Sequence, residues 1–148
     1  MTQPTLHQSV GTPFTRIISV GAARGDLTVP NDDIVGPIES SDEWIRQRTG
    51  IITRMRASHD RSLMDMAVEA SNEAIKKAGI DPQEIGAVIF STITHPFQTP
   101  SAATLLAEKI GANPAPAYDV SAACAGFLFG IEIAQQFITS HTHDTVLV

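Results

Sequence analysis

The chain has 148 residues, enough for one modest domain. Its 43% hydrophobic and 18% charged content is that of a globular protein and excludes a disordered one. A net charge of −6 argues against nucleic acid as a partner. Cys124 is the only cysteine, so no internal disulfide can form and a reducing interior is expected.

Residues 1–13 are polar, lack the apolar core of a signal peptide and read as a flexible tail. Residues 14–148 read as one unit. Residues 15–20 are β-rich, end at Gly21 and predict a first strand. Residues 24–37, with Gly, Pro, Asn and Asp, predict a loop. Ser40 and Ser41 can cap a short helix over 42–48, with acids in its first turn, arginines in its last and Gly50 after it. Residues 51–55 predict a strand. Ser62 opens the clearest helix, whose apolar face is Leu63, Ala67, Ala70, Ala74 and Ala78 and which Gly79 stops.

Asp81-Pro82-Gln83-Glu84 has the capping-box pattern and predicts a short helical turn. Residues 87–93 form a near-continuous β run, as in a strand buried on both faces. A loop over 94–100, a helix over 101–110 closed by Gly111, and a strand over 115–120 follow. The helix bearing Cys124 runs to about Thr139, with its start expected to be buried all round. Residues 145–148 begin a strand with no turn or polar tail after it. The longest apolar run, 122–131, stops at Glu132 and is too short to span a bilayer, so a soluble cytoplasmic protein is expected. Strands and helices alternate, which means an α/β fold with layered helices and a mixed, mostly parallel sheet. No GxGxxG and no Walker loop is present.

Cys124 lies in Asp119-Val-Ser-Ala-Ala-Cys-Ala-Gly-Phe-Leu-Phe-Gly130. A strand end, a tight turn of small residues and a helix start would place its thiol over the positive end of a helix dipole, which favours a thiolate, and the small neighbours leave room for a carbonyl. The alternative is a small buried core thiol, the commoner fate of a lone cysteine. Arg46, Arg48, Arg54, Arg56 and Arg61 are half of the ten basic residues and fall in one window beside Trp44, the only tryptophan. Arginines bind phosphates and an indole stacks on a base, so this patch suits a nucleotide-bearing ligand such as coenzyme A, or an acidic partner; a solvated charged face is the plain alternative. His141 and His143 read first as a solvated turn and only second as a metal pair, and no metal site is expected.

Ser41-Asp-Glu-Trp-Ile-Arg-Gln-Arg-Thr-Gly-Ile51, Asp119-Val-Ser-Ala-Ala-Cys-Ala-Gly-Phe127, Tyr118 and the loop Thr94-His-Pro-Phe-Gln-Thr-Pro-Ser101 together resemble the β-ketoacyl-acyl-carrier-protein synthase III family. The resemblance implies a thiolase-like fold of which residues 14–148 are the N-terminal one of two pseudo-repeated halves, ending within a strand. It implies initiation of fatty-acid synthesis: acyl-CoA acylates Cys124, and the thioester is condensed with malonyl-acyl-carrier protein with loss of carbon dioxide. Acyl-CoA and acyl carrier protein are then partners, no cofactor is needed, and a homodimer is implied.

By the same resemblance Trp44 stacks on the adenine of CoA, Arg48 lies near its phosphates and Ser40 beside them. Thr99 falls where the family lines its acyl pocket; a threonine there leaves space for a longer or branched chain. The family completes its site with a histidine and an asparagine from the second half, and none of the five histidines here matches them. Two other readings stay open: a related thiolase-fold acyltransferase with another acceptor, and an inactive fragment.

Overall fold

The structure is a computed structural model that describes residues 14–36 and 38–148; the expected tail, 1–13, lies outside the described residues. Residues 14–25 carry no strand, against the expectation for 15–20. A β-rich segment becomes a strand only when a neighbour takes up its backbone groups. This one is instead tied to a helix: Ser19 Oγ donates to the Ala74 carbonyl at 2.8 Å, the Ala22 amide donates to Glu73 at 2.7 Å, and Lys77 donates to the Val20 carbonyl at 3.1 Å. Gly21 permits that contact, since a Cβ there would stand 1.9 Å from the Ala70 carbonyl oxygen.

The expected loop over 24–37 is partly regular. Strand β1 (Leu27–Pro30) pairs antiparallel with β2 (Thr53–Arg56), and a helical turn α1 (Asp32–Val35) lies between. Leu27, Thr28 and Val29 suit a strand, and Pro30 is tolerated at its end in a two-stranded ribbon. Helix α2 (Asp42–Thr49) starts where Ser41 Oγ accepts the Trp44 amide and stops at Gly50, which has φ +71°. One side chain binds this corner together. Asn31 is fully buried; its Nδ2 donates to Asp42 Oδ1 at 2.7 Å and to the Ile51 carbonyl at 2.8 Å, and its Oδ1 accepts from Arg54.

Helix α3 (Leu63–Ala78) has the complete capping box between Ser62 and Asp65 and ends at Gly79 in the left-handed region. The Asp81 capping box forms a single 3₁₀ turn, Pro82–Glu84. Strand β3 (Ala87–Ser91), helix α4 (Ala102–Ile110), strand β4 (Ala117–Val120), helix α5 (Gly126–Thr139) and strand β5 (Val146–Leu147) follow. The three strands form a parallel sheet in the order β4-β3-β5. The antiparallel pair is a separate ribbon, not an edge of this sheet.

Alternation along β3 sorts the two faces. Val88 and Phe90 pack with Ile75 of α3 and Leu106, Ala107 and Ile110 of α4. Ile89 and Ser91 face α5, where Gly130 lies over both. Ala87, Val88 and Ile89 are essentially inaccessible, as expected of a strand covered on both sides. Among the described residues no helix is long and apolar enough to cross a membrane.

Of the carboxylates that act as caps or clasps, four are held below the ordinary carboxylate range. The Ser58 hydroxyl and amide lower Asp26, Arg46 and then Asn31 lower Asp42, the Ser62 hydroxyl and amide lower Asp65, and Lys77 and the Ala22 amide lower Glu73. A depressed folded pKa means stability that is present above the unfolded value, about pH 4, and is lost as pH falls through the folded value. Thermal midpoints measured from pH 7 downward should therefore hold level to about pH 5 and then fall, with Asp65→Asn flattening part of the drop. A midpoint that rises on acidification through this range would contradict the assignment.

Candidate active site

The nucleophile candidate is set by the carboxyl edge of the parallel sheet. Ser91 and Val120 are register partners at the ends of β3 and β4, and the Thr92 amide donates to the Val120 carbonyl at 3.2 Å. Ligand sites in open α/β sheets favour this edge. After β4 the chain turns sharply: Ala123 has φ +45°, a left-handed value that is strained for a residue with a Cβ. Cys124 follows within a 3₁₀ turn, Ala123–Ala125, and is exposed. It stands on a turn just ahead of α5 rather than inside that helix.

Glycines bring α5 onto the sheet. A Cβ on Gly126 would lie 3.1 Å from Ser91 Cβ, and one on Gly130 would lie 2.6 Å from Val148 Cγ1. The helix buries Gly126, Gly130 and Ala134 and turns Phe127, Leu128 and Phe129 outward, with Leu128 68% exposed. The helix start is thus not buried all round, against the sequence expectation: the side facing the sheet admits only the smallest residues. The Ser91 hydroxyl beneath it is buried and has no hydrogen-bond partner among the described residues.

Thr99 is exposed in the loop over 92–101, which leaves the same sheet edge as the Cys124 turn. Within that loop His95 Nε2 is 3.2 Å from the Pro100 carbonyl and its ring meets Phe97 edge-on. Asp119 closes the loop's far end: its two carboxylate oxygens accept the Ala102 and Ala103 amides at 2.9 and 2.8 Å. Neighbouring Tyr118 meets Phe137 of α5 edge-on, and burial pushes its phenol pKa up.

Trp44 and Arg48 lie one turn apart on α2, with the guanidinium 4.9 Å from the indole centroid and the indole half exposed. The arginine cluster divides on inspection. Arg46 pairs with Asp42 at 2.7 Å, Arg61 pairs with Glu69, and Arg54 donates to Asn31 and to the Val29 and Pro30 carbonyls. Three of the five arginines therefore hold the fold, and Arg48 is the one joined to the aromatic plate. Ser40 precedes the cap of α2, and its hydroxyl is buried without a hydrogen-bond partner among the described residues. The structure brings Cys124 and the Thr99 loop to one edge, while Ser40, Trp44 and Arg48 belong to the ribbon and its helix. A groove of about 890 Å³ between residues 14–21, α3, α5 and β5 includes none of these five.

His141 is exposed with φ +56°, and His143 meets Phe137 edge-on and packs against Gly86. Among the described residues no group of three or more His, Cys, Asp or Glu side chains could hold a metal ion. Sequence reasoning missed Asn31 and Asp119, because the partners of both are distant in the chain. The one local signal was Asp119 itself, a carboxylate five residues before the thiol.

A parallel sheet whose carboxyl edge lifts one thiol ahead of a glycine-lined helix defines a thiolase-type half. The family described as the N-terminal domain of thiolase matches residues 46–148, and the chain belongs to it. Among relatives, it is 46% identical over 144 residues to β-ketoacyl-acyl-carrier-protein synthase III of Kocuria rhizophila, covering 97% of this chain and 41% of that one. It is 48% identical over 138 residues to the corresponding synthase III 1 of Streptomyces avermitilis, covering 93% and 39%. Among solved structures, the priming β-ketosynthase of a polyketide biosynthetic pathway superposes with TM-score 0.83 at 39% identity, covering 93% of this chain and 41% of that chain. The synthase III of Aquifex aeolicus gives 0.80 at 36%, covering 86% and 41%. The chain spans about two fifths of the length of the relatives it matches.

Proposed function

We propose that this chain is the nucleophile-bearing part of an initiating condensing enzyme of fatty-acid synthesis. Cys124 attacks the thioester carbonyl of acyl-CoA, the CoA thiolate leaves, and an acyl-enzyme forms. A thiol suits both halves of this exchange, because it is a good nucleophile and a good leaving group. The carbonyl oxygen becomes an oxyanion at the start of α5, where backbone N–H groups and the helix dipole favour negative charge. Malonyl-acyl-carrier protein then loses carbon dioxide, and the enolate carbon so formed attacks the acyl group. The Cys124 thiolate is expelled and 3-oxoacyl-acyl-carrier protein is released. No cofactor enters either step.

The observation that carries this reading is the exposed thiol on a strained turn at the carboxyl edge of the sheet. Relatives named for this activity, matched across nearly all of the chain, support it. The decisive experiment incubates the chain with acyl-CoA and follows the mass of Cys124, then adds malonyl-acyl-carrier protein and collects carbon dioxide. An adduct on Cys124 is expected. Gas release is expected where the histidine and asparagine that the family uses are also present. An unmodified thiol under both conditions would overturn the reading, and transfer to another acceptor without gas release would favour the acyltransferase alternative. A homodimer is part of the proposal, and sedimentation equilibrium checks it.

Trp44 and Arg48 form the coenzyme end. Stacking of adenine on the indole and pairing of phosphate with the guanidinium explain why an exposed tryptophan carries a cation over its face. Base stacking is worth about 1–3 kcal/mol, so Trp44→Ala should weaken CoA binding about tenfold by calorimetry. Arg48→Ala should weaken it less and make it less salt-sensitive. Thr99, in the loop that leaves the thiol's edge of the sheet, then faces the acyl chain, and Ser40, its hydroxyl buried, lies beside the phosphates at the entry to α2. An unchanged affinity in Trp44→Ala would remove this assignment.

A further inference from the structure

We propose that Met55 is a modification site: peroxide converts it to the sulfoxide ahead of the other described methionines, and the sulfoxide tightens the ribbon instead of loosening it. Met55 lies in β2 opposite its register partner Thr28, so the two side chains stand on one face of the ribbon. The Thr28 hydroxyl donates to Met55 Sδ at 3.5 Å. Met55 is 42% exposed, whereas Met64 packs against the core and Met66 is half-buried. Exposure decides which thioether an oxidant reaches first.

The surroundings of this sulfur are rich in donors and poor in acceptors. Met55 lines a surface cavity of about 500 Å³ whose other walls include Arg24, Thr53, Arg54 and Met66, and no carboxylate or carboxamide lines it. Arg54 is already taken by Asn31 and the Pro30 carbonyl. The Arg24 side chain has no hydrogen bond or ion pair among the described residues. A thioether sulfur is a weak acceptor, and a sulfoxide oxygen is a strong one. Oxidation therefore supplies the acceptor that Thr28 and Arg24 lack. At a buried methionine the same change forces a polar group into apolar packing. Met55 has solvent and donors around it, so the sign of the effect is reversed.

The step needs only hydrogen peroxide. A sulfur lone pair attacks one peroxide oxygen, the O–O bond breaks and an S–O bond forms. Sulfur loses two electrons, and the leaving hydroxide takes the proton of the attacked oxygen and departs as water. The Thr28 hydroxyl, already directed at the sulfur, stabilises the negative charge that grows on the transferred oxygen. Methionine sulfoxide reductases reverse the change. It falls on the ribbon to which Asn31 ties α2.

The test treats the 148-residue chain with hydrogen peroxide and maps its methionine peptides over time. Sulfoxide should form at Met55 about fivefold faster than at Met64 or Met66. Thr28→Val removes the donor, keeps the shape and should slow Met55 about threefold. Thr28→Ser keeps the hydroxyl and should keep the rate, which leaves the result readable where valine folds poorly. Melting is read in a Cys124→Ala, Met64→Leu, Met66→Leu background, so that Met55 is the only sulfur left to oxidise among the described residues. Oxidation should raise the thermal midpoint by about 3 °C, and reductase treatment should return it. Met64 or Met66 reacting as fast as Met55 would overturn the proposal. So would an oxidised midpoint that stays level or falls. Equal Met55 rates in the parent and in Thr28→Val would overturn it as well, since exposure alone would then account for the oxidation. None of these readouts involves acyl-CoA, so they are decided separately from the proposed function.

Discussion

Cys124→Ala should abolish formation of the acyl-enzyme, reducing transfer from acyl-CoA by a factor on the order of 10⁴ or more. No other thiol exists in the chain to substitute for it. The side chain is exposed, so its loss removes almost no packing, and the unfolding free energy should stay within about 0.5 kcal/mol of the parent. Cys124→Ser separates nucleophilicity from geometry. A hydroxyl keeps the shape but lacks the thiolate, and an ester formed on it would have a poor leaving group. Mass spectrometry of the intact chain after exposure to acyl-CoA reads all three proteins. An adduct that persists on Cys124→Ala would show that the acyl group is carried elsewhere, and the reading of the turn would fall with it.

The parts of this molecule legible in its sequence are those that local chemistry decides. Ser62 with Asp65, Asp81 with Glu84, and Gly50, Gly79 and Gly111 at helix ends all act within a few residues, and each stands where expected. The apolar run of β3 is likewise self-announcing, because a strand covered on both faces has no polar side to hide. The failures are non-local. Residues 15–20 have strand chemistry but lie against α3 through hydrogen bonds to Glu73, Ala74 and Lys77. Leu27-Thr-Val-Pro30 is masked by flanking Gly, Asp and Asn, and its partner lies some 23 to 29 residues on, from Pro30–Thr53 to Leu27–Arg56. The arginine window looked like one surface, yet Arg54 and Arg61 are taken by Asn31 and Glu69, which the spacing could not reveal.

The candidate site follows the same division. The Cys124 turn was readable because small residues, a thiol and a helix start sit together in one stretch. What orients the turn was not: an apolar run gives no sign that Gly126 and Gly130 face inward and Phe127, Leu128 and Phe129 outward. That sorting depends on Ser91 and Ile89 of β3 and on Val148 just past β5, all distant in sequence from the turn. The pairing of Trp44 with Arg48 was readable, since four residues on a helix place two side chains on one face.

Asn31→Ala should be among the most destabilising single changes in the chain, by about 3 kcal/mol, or roughly 10 °C in the thermal midpoint. The side chain is fully buried and joins four pieces of chain: the end of β1, the first turn of α2, the approach to β2 and Arg54 within it. Two of its partners have other bonds to fall back on. Asp42 keeps Arg46 at 2.7 Å, and Arg54 keeps the Pro30 carbonyl at 3.2 Å. The Ile51 carbonyl loses its side-chain donor, and the emptied volume adds a cavity cost. Asn31→Asp provides the sharper comparison. It preserves the acceptor for Arg54 but sets a second carboxylate against Asp42, 2.7 Å from where Nδ2 stood. That variant should be unstable at neutral pH and recover partly on acidification, as one of the two carboxylates takes up a proton; its folded pKa is then raised, so the lost stability returns as pH falls. Because α2 carries Trp44 and Arg48, both variants should also lose CoA affinity before global melting, while the iodoacetamide rate at Cys124 stays unchanged. A thiol rate that fell in step with CoA affinity would mean that the ribbon and the sheet edge unfold as one unit, and the corner held by Asn31 could not then be the independent support of the coenzyme end.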